Sequence, residues 1–198
     1  AFSGCSSLKS VTIPEGVTKI EGGTFYGCTN LESVALPEGL VNIEYDGYGA
    51  FGNCTSLKNI EIPESVTSIG DCAFCNCSNL TSVTIPEGVT SIGSRAFSGC
   101  SSLTSVTIPE GVTSIGGYAF YGCSSLTSVT IPEGVTKIEV GTFYGCTKLA
   151  SVILPEGLLS VENGLFSEGA FGNCTSLKNI EIPEGVTSIG DYAFIDCS

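Results

Sequence analysis

Two sets of residues in this chain have types and spacings that could do chemistry. Cys72 and Cys75 stand in C-x-x-C spacing, which suits a redox dithiol, a local disulfide, two inert thiols or half of a zinc site. Glu15, Glu38, Glu64, Glu87, Glu110, Glu133, Glu156 and Glu184 each follow a proline. Stacked carboxylates could hold calcium through oxygen ligands, or divide into the acid and base of a glycosidase. The sequence has no histidine, which removes every Ser-His and Cys-His nucleophile and the commonest metal ligand. An acid and a base need two unlike environments, whereas these glutamates share one local context repeated many times. The expectation is therefore no enzyme, no catalytic residue, no cofactor and no metal centre.

Charge narrows the partners. Seven Lys and Arg against 20 Asp and Glu give a formal charge of −13 over 198 residues. Nucleic acid is excluded as a partner, because phosphate neutralisation needs clustered cations. No apolar run approaches the roughly 18 residues of a membrane helix, so no membrane insertion is expected in this segment. The chain opens at Ala1 with no basic stretch leading into an apolar one. Residues 1–198 are expected to be one domain, a fragment of a longer chain whose targeting signal and anchor lie elsewhere.

The elements that must position these residues come from an internal repeat. Phe and Cys three apart recur at Phe2/Cys5, Phe25/Cys28, Phe51/Cys54, Phe74/Cys77, Phe97/Cys100, Phe120/Cys123, Phe143/Cys146, Phe171/Cys174 and Phe194/Cys197. The spacing is 23 residues except from Phe25 to Phe51 (26) and from Phe143 to Phe171 (28). Both insertions fall between a unit's last apolar position and its next Phe. Ala1 to Cys28 closely matches Ala119 to Cys146, so a block of about five units is duplicated. Within one unit, Leu103, Val106 and Ile108 alternate with polar residues as in a short half-buried strand, which Pro109 ends in a type I turn. Ser65 takes the place of the turn glycine in one unit, so that place does not require positive φ. Val112, Ile115, Ala119, Phe120 and Cys123 complete the core, the last three on a short helical turn. No unit closes a core alone; stacked, each adds a strand to a parallel sheet and a rung to ladders of Phe, Cys and Ile.

The pattern L-x-x-V-x-I-P-x-x-V-x-x-I-G-x-x-A-F-x-x-C, as in Leu103 to Cys123, resembles the BspA-like leucine-rich repeats of bacterial and protozoan surface proteins. The resemblance covers essentially the whole chain. It implies a β-rich leucine-rich repeat solenoid, a right-handed curved stack of about eight 23-residue units with a parallel β-sheet on the concave face. It also implies a secreted or cell-surface location. The implied function is non-enzymatic: a protein-binding or adhesion module contacting a host or microbial surface protein, fibronectin and fibrinogen included, or a glycan. The alternative is a structural solenoid that self-associates through its open ends into head-to-tail filaments.

Uniform rungs offer uniform chemistry, so a distinctive site is expected where the repeat is broken. Tyr45, Asp46 and Tyr48 in the first insertion, and Leu165, Phe166 and Glu168 in the second, have no counterpart in the plain units. Aromatic anchors ringed by polar groups suit a recognition hot spot. Thr84, Thr107 and Thr130 supply a flat polar row on the sheet face, in a column that Ala35, Glu61, Ile153 and Glu181 interrupt. The nine column cysteines are expected to pack as small buried side chains. Cys72 and Cys75 lie outside that column, because their counterparts are Arg95, Tyr118 and Tyr192, or Ser98, Tyr121 and Ile195.

Overall fold

Seven of the units contribute two short strands rather than the one their pattern suggests, and the last contributes one. The computed structural model describes residues 1–162, 164 and 168–197. In chain order the strands are β1 (Ser10–Thr12), β2 (Lys19–Ile20), β3 (Ser33–Ala35), β4 (Asn42–Ile43), β5 (Asn59–Glu61), β6 (Ser68–Ile69), β7 (Ser82–Thr84), β8 (Ser91–Ile92), β9 (Ser105–Thr107), β10 (Ser114–Ile115), β11 (Ser128–Thr130), β12 (Lys137–Ile138), β13 (Ser151–Ile153), β14 (Ser160–Val161) and β15 (Ser188–Ile189). Odd-numbered strands up to β13 form a three-residue row; the even-numbered strands and β15 form a two-residue row. Every pairing is parallel and joins like positions of neighbouring units, as in Ser82↔Ser105 and Ile69↔Ile92. The result is a parallel β-solenoid. Because side chains alternate across a strand, Val83 is buried while Ser82 and Thr84 face water.

The core is a set of ladders running the length of the coil. Phe2, Phe25, Phe51, Phe74, Phe97, Phe120, Phe143, Phe171 and Phe194 stack in sequence, with ring centroids 5.3 to 5.5 Å apart and planes within 9° of parallel. Parallel rings at that separation are offset, and such a pair contributes about 0.5–1.5 kcal/mol beyond area burial. Beside them runs the cysteine column, which does more than fill space. Cys54 Sγ donates to Phe25 O (3.1 Å), Cys77 to Phe51 O, Cys100 to Phe74 O and Cys123 to Phe97 O (each 3.2 Å), so every rung is tied to the one before it. A residue here must be small enough for the column and still carry a donor, which Cys satisfies at little desolvation cost.

The segment around each Phe is not the short helical turn that its sequence suggests. No helix occurs among the described residues, and the reason is backbone handedness. The residue two before Phe is left-handed in Cys72 (φ 53), Arg95 (φ 55), Tyr118 (φ 61) and Tyr192 (φ 62), and the residue two after it is left-handed in Asn53, Asn76 and Asn173 or is a positive-φ glycine such as Gly99. Two such residues per turn cannot belong to a right-handed helix. Instead the Phe segment becomes a ridge whose N–H groups donate to the next rung, as Phe97 does to Ala119 O and Gly99 to Tyr121 O (2.8 and 2.7 Å). Ser65 behaves as its sequence implies: its φ is not positive, and its hydroxyl donates to Leu40 O (2.6 Å) in the preceding turn.

The two insertions act as wedges. Across the first, the Phe stack holds (Phe25–Phe51, 5.3 Å), Phe25 N–H donates to Ala50 O (2.8 Å) and β4 pairs with β6. Across the second, Phe143–Phe171 stays at 5.4 Å, Phe143 N–H donates to Ala170 O (2.8 Å) and β14 pairs with β15. The three-residue row opens at both places. Thr81, Thr104, Thr127 and Ala150 N–H donate to Lys58, Thr81, Thr104 and Thr127 O at 2.9 to 3.3 Å, but Lys58 and Lys178 have no such bond to Glu32 and Ala150. β3 does not ladder with β5, and Asn179–Glu181 forms no strand beside β13; β9 and β11, with no insertion between them, also belong to separate ladders, but there Thr127 N–H still donates to Thr104 O (3.3 Å).

The wedge also dictates its own glycines. A Cβ on Gly49 would lie 1.7 Å from Cys72 O, and one on Gly169 would lie 1.8 Å from Tyr192 O. Gly39, in an open turn, has nothing within 4 Å of its Cβ position. Gly49→Ala is therefore expected to destabilise the chain by more than about 2 kcal/mol, and Gly39→Ala by less than about 0.5. Urea denaturation of the two variants checks this.

Candidate functional site

The candidate surface is built where the three-residue row parts. Between β3 and β5 lies a cleft of about 360 Å³, edged by Ala35 and Glu61 and by the turn residues Glu38 and Glu64. Between β13 and residues 179–184 lies a second of about 690 Å³, edged by Ile153 and Glu181 and by Glu156 and Glu184. The two clefts repeat the same carboxylates at equivalent places. Their strand edges carry backbone groups with no ladder partner, and every one of the six glutamates is exposed. Thr84, Thr107 and Thr130 form the polar row between them, also exposed, with Thr84 registered against Thr107. At about 4.8 Å per rung, five rungs place the clefts about 24 Å apart.

The sequence singled out the threonine row and noted its interruptions, but not that Glu61 and Glu181 border clefts. The signal was present: the column breaks at Ala35, Glu61, Ile153 and Glu181, beside the two units that carry insertions. What the sequence could not supply was the link between an insertion on one flank and an opening on another.

The inserted residues occupy a different side of the coil, between the two-residue row and the Phe ridge. In the first insertion Tyr45 bridges Gly49 in antiparallel sense, and Tyr45 and Tyr48 remain 47% and 59% exposed. Tyr48 packs its ring on Tyr26 at 4.8 Å, and Asp46 is exposed. In the second, Glu168 is half-buried and accepts a hydrogen bond from Tyr118 Oη (2.6 Å), while Arg95 sits 4.6 Å over the Tyr118 ring. That bond to the carboxylate pushes the Tyr118 phenol up to about 12. Leu165 and Phe166 lie outside the described residues. The seven proposed contact residues that are described therefore do not form one patch: Thr84, Thr107 and Thr130 share a face, and Tyr45, Asp46, Tyr48 and Glu168 flank another.

The charge pairs gather on the two-residue row and leave the turn glutamates out. Lys19 pairs with Glu21 (3.1 Å) and Glu44 (3.7 Å), and Lys137 with Glu139 (3.3 Å) and Glu162 (3.7 Å), on the two-residue row. Among the described residues no turn glutamate has a cation partner, and no three acidic or thiol side chains converge as metal ligands. Nor is any helix long and apolar enough to cross a membrane.

A coil of short parallel rungs with Leu, Val, Ile and Phe ladders is the architecture of the leucine-rich repeat class. A family model described as the BspA type leucine rich repeat region matches in 6 copies, over residues 1–81, 47–169 and 166–198, and the chain belongs to that family. Among solved structures it is similar to the T. pallidum leucine rich repeat protein TpLRR, with 30% identity and a TM-score of 0.71 over 96% of this chain and 79% of that one. It is similar to a leucine rich cell surface protein of Faecalibacterium prausnitzii A2-165, with 31% identity and a TM-score of 0.62 over 100% of this chain and 66% of that one. A leucine-rich repeat protein of Eubacterium ventriosum ATCC 27560 gives 28% identity and a TM-score of 0.62, covering 96% of this chain and 59% of that one. This chain spans less than two thirds of the latter two. No curated protein matches it.

The buried thiols generate a prediction. Burial pushes Cys54 and Cys174 up to about 12 from an ordinary value of 9.0, and Cys77, Cys100, Cys123 and Cys146 well above it. A thiol is charged only when deprotonated, so raised folded values mean that the unfolded chain ionises first. Stability is full below about pH 9 and falls as pH rises from there towards 12. Melting temperature measured from pH 7 to pH 11 is expected to stay level and then drop above about 9. In Cys100→Ala, the drop is expected to be shallower, on a lower starting stability.

Proposed function

We propose that this chain is a non-enzymatic binding module of a cell-surface or secreted protein, and that it engages an extended, cation-bearing segment of a partner protein along the strand face between the two clefts. The observation that carries the reading is the recurrence of the same acidic cleft at both insertions. Three glutamates border each cleft, and the polar threonine row spans the distance between them. A partner with Lys or Arg at two places about 24 Å apart would meet both clefts, and its backbone would find the unpaired strand groups at their edges. The exposed Tyr45 and Tyr48 on the neighbouring flank provide aromatic contact for a partner broad enough to wrap the edge. The surface location of the Faecalibacterium protein supports an extracellular role. Nothing in the clefts separates an acid from a base, so the acidic groups serve attraction rather than catalysis.

The test immobilises the chain and measures binding of fibronectin and fibrinogen by surface plasmon resonance, beside Glu61→Lys/Glu181→Lys, Thr107→Arg and Tyr45→Ser/Tyr48→Ser variants. The expected outcome is binding that weakens with added salt, falls about tenfold or more in the charge-reversed and Thr107→Arg chains, and falls less in the tyrosine variant. Binding unchanged by charge reversal, or lost only with the tyrosines, would move recognition to the inserted loop.

A further inference from the structure

Cys72 and Cys75 form the one thiol pair in the chain that the core does not use. The column thiols are aimed at the Phe carbonyls of the preceding rung, whereas Cys72 and Cys75 are half-buried on the outside of the Phe ridge. They flank Ala73 and Phe74 in a tight turn closed by Cys75 N–H donating to Cys72 O (3.0 Å). Such a turn holds its first and fourth Cα within about 7 Å, in the range a disulfide spans. Neighbouring rungs hold the turn at both ends: Cys72 N–H donates to Ser94 O (2.8 Å), and Asn53 N–H donates to Cys75 O (2.7 Å). Closing the pair therefore requires side-chain rotation and no change in the rungs.

We propose that Cys72 and Cys75 are a reversible dithiol, converted into a local disulfide by exchange with a small-molecule disulfide while the cysteine column stays reduced. Burial pushes both thiols up and Arg95 on the adjacent rung eases both; Cys72 is the attacking thiol because it is the less deeply placed of the two. Its sulfur attacks one sulfur of the external disulfide, the external S–S bond breaks, and one external thiol leaves. Cys75 then gives up its proton and attacks Cys72 Sγ in the mixed disulfide, releasing the second external thiol. In total two protein thiols and one external disulfide become one protein disulfide and two external thiols; the protein loses two electrons and the oxidant gains them. Burial pushes the Cys75 thiol up to about 11, so the second step is slow at neutral pH and accelerates in alkaline buffer.

The experiment equilibrates the reduced chain with glutathione disulfide and glutathione at several ratios near pH 8. Samples are quenched in acid, unfolded, alkylated and mapped by peptide mass. As the ratio becomes more oxidising, Cys72 and Cys75 are expected to lose two hydrogens between them and escape alkylation, while Cys54, Cys77, Cys100 and Cys123 are alkylated in full. In Cys75→Ser, whose counterpart Ser98 already occupies the same place in the next unit, a glutathione adduct is expected to accumulate on Cys72, with the melting curve confirming an intact fold. Disulfides joining Cys75 to Cys54, Cys77 or Cys100, alkylation of Cys72 and Cys75 at every ratio, or absence of the Cys72 adduct in the variant would each overturn the proposal.

Discussion

The structure depends on one contact repeated along its length: a phenylalanine ring lying on the ring of the unit before it, with a cysteine thiol tying the same two units through the Phe carbonyl. Side chain and backbone use the same atoms here. Phe25 O, for example, accepts both from Cys28 N–H in its own turn (3.1 Å) and from Cys54 Sγ in the next unit (3.1 Å). The ridge thus fixes the rise of the coil, and the strand rows follow its spacing. In a stack where each unit touches only its neighbours, stability is a sum of such interfaces. Failure of one rung would divide the core rather than merely thin it.

That constraint explains how the chain tolerates irregularity. Three or five extra residues beside the ridge cannot change the ring spacing without breaking the stack, so the accommodation appears in the three-residue ladder. The consequence is a pair of clefts bordered by carboxylates, on an otherwise uniform surface of Ser and Thr. A feature that begins as accommodation of an insertion becomes the distinctive chemistry of the face. The glutamates there carry no local cation partner among the described residues, whereas those near Lys19 and Lys137 are paired, which leaves the clefts as the unpaired acidic ground on which the proposed binding reading rests.

Much of this was legible in the sequence, because a repeat states its own periodicity. The positions of Phe, Cys, Leu, Val and Ile gave the rungs, the parallel stacking, the buried column and the family resemblance. The turn around Pro109 and the freedom of Ser65 to replace glycine followed from residue type alone. The second strand row was hidden because Ser114–Ile115 is too short for alternation to register. The helical reading of Ala119 to Cys123 failed because Tyr118 occupies a left-handed conformation that its side chain does not advertise; the glycines and asparagines two places after every stacked Phe but the last were the readable sign. The site was only half visible. Tyr45 and Tyr48 are exposed as expected, but Glu168 is engaged by Tyr118. The clefts arise from coupling between opposite sides of the coil, which no local pattern encodes.

Amide hydrogen exchange of the native chain, resolved by residue, tests the wedge most directly. The account predicts slow exchange at Phe25 and Phe143, whose N–H groups bridge the insertions to Ala50 and Ala170, and at Thr81, Thr104 and Thr127 in the closed part of the strand row. It predicts fast exchange at Lys58 and Lys178, the equivalent positions at the clefts, which lack the bond across the row. Protection of Lys58 and Lys178 equal to that of Thr104 would mean that the row is closed throughout. Rapid exchange at Phe25 or Phe143 would mean that the ridge, and not the strand row, gives way at the insertions.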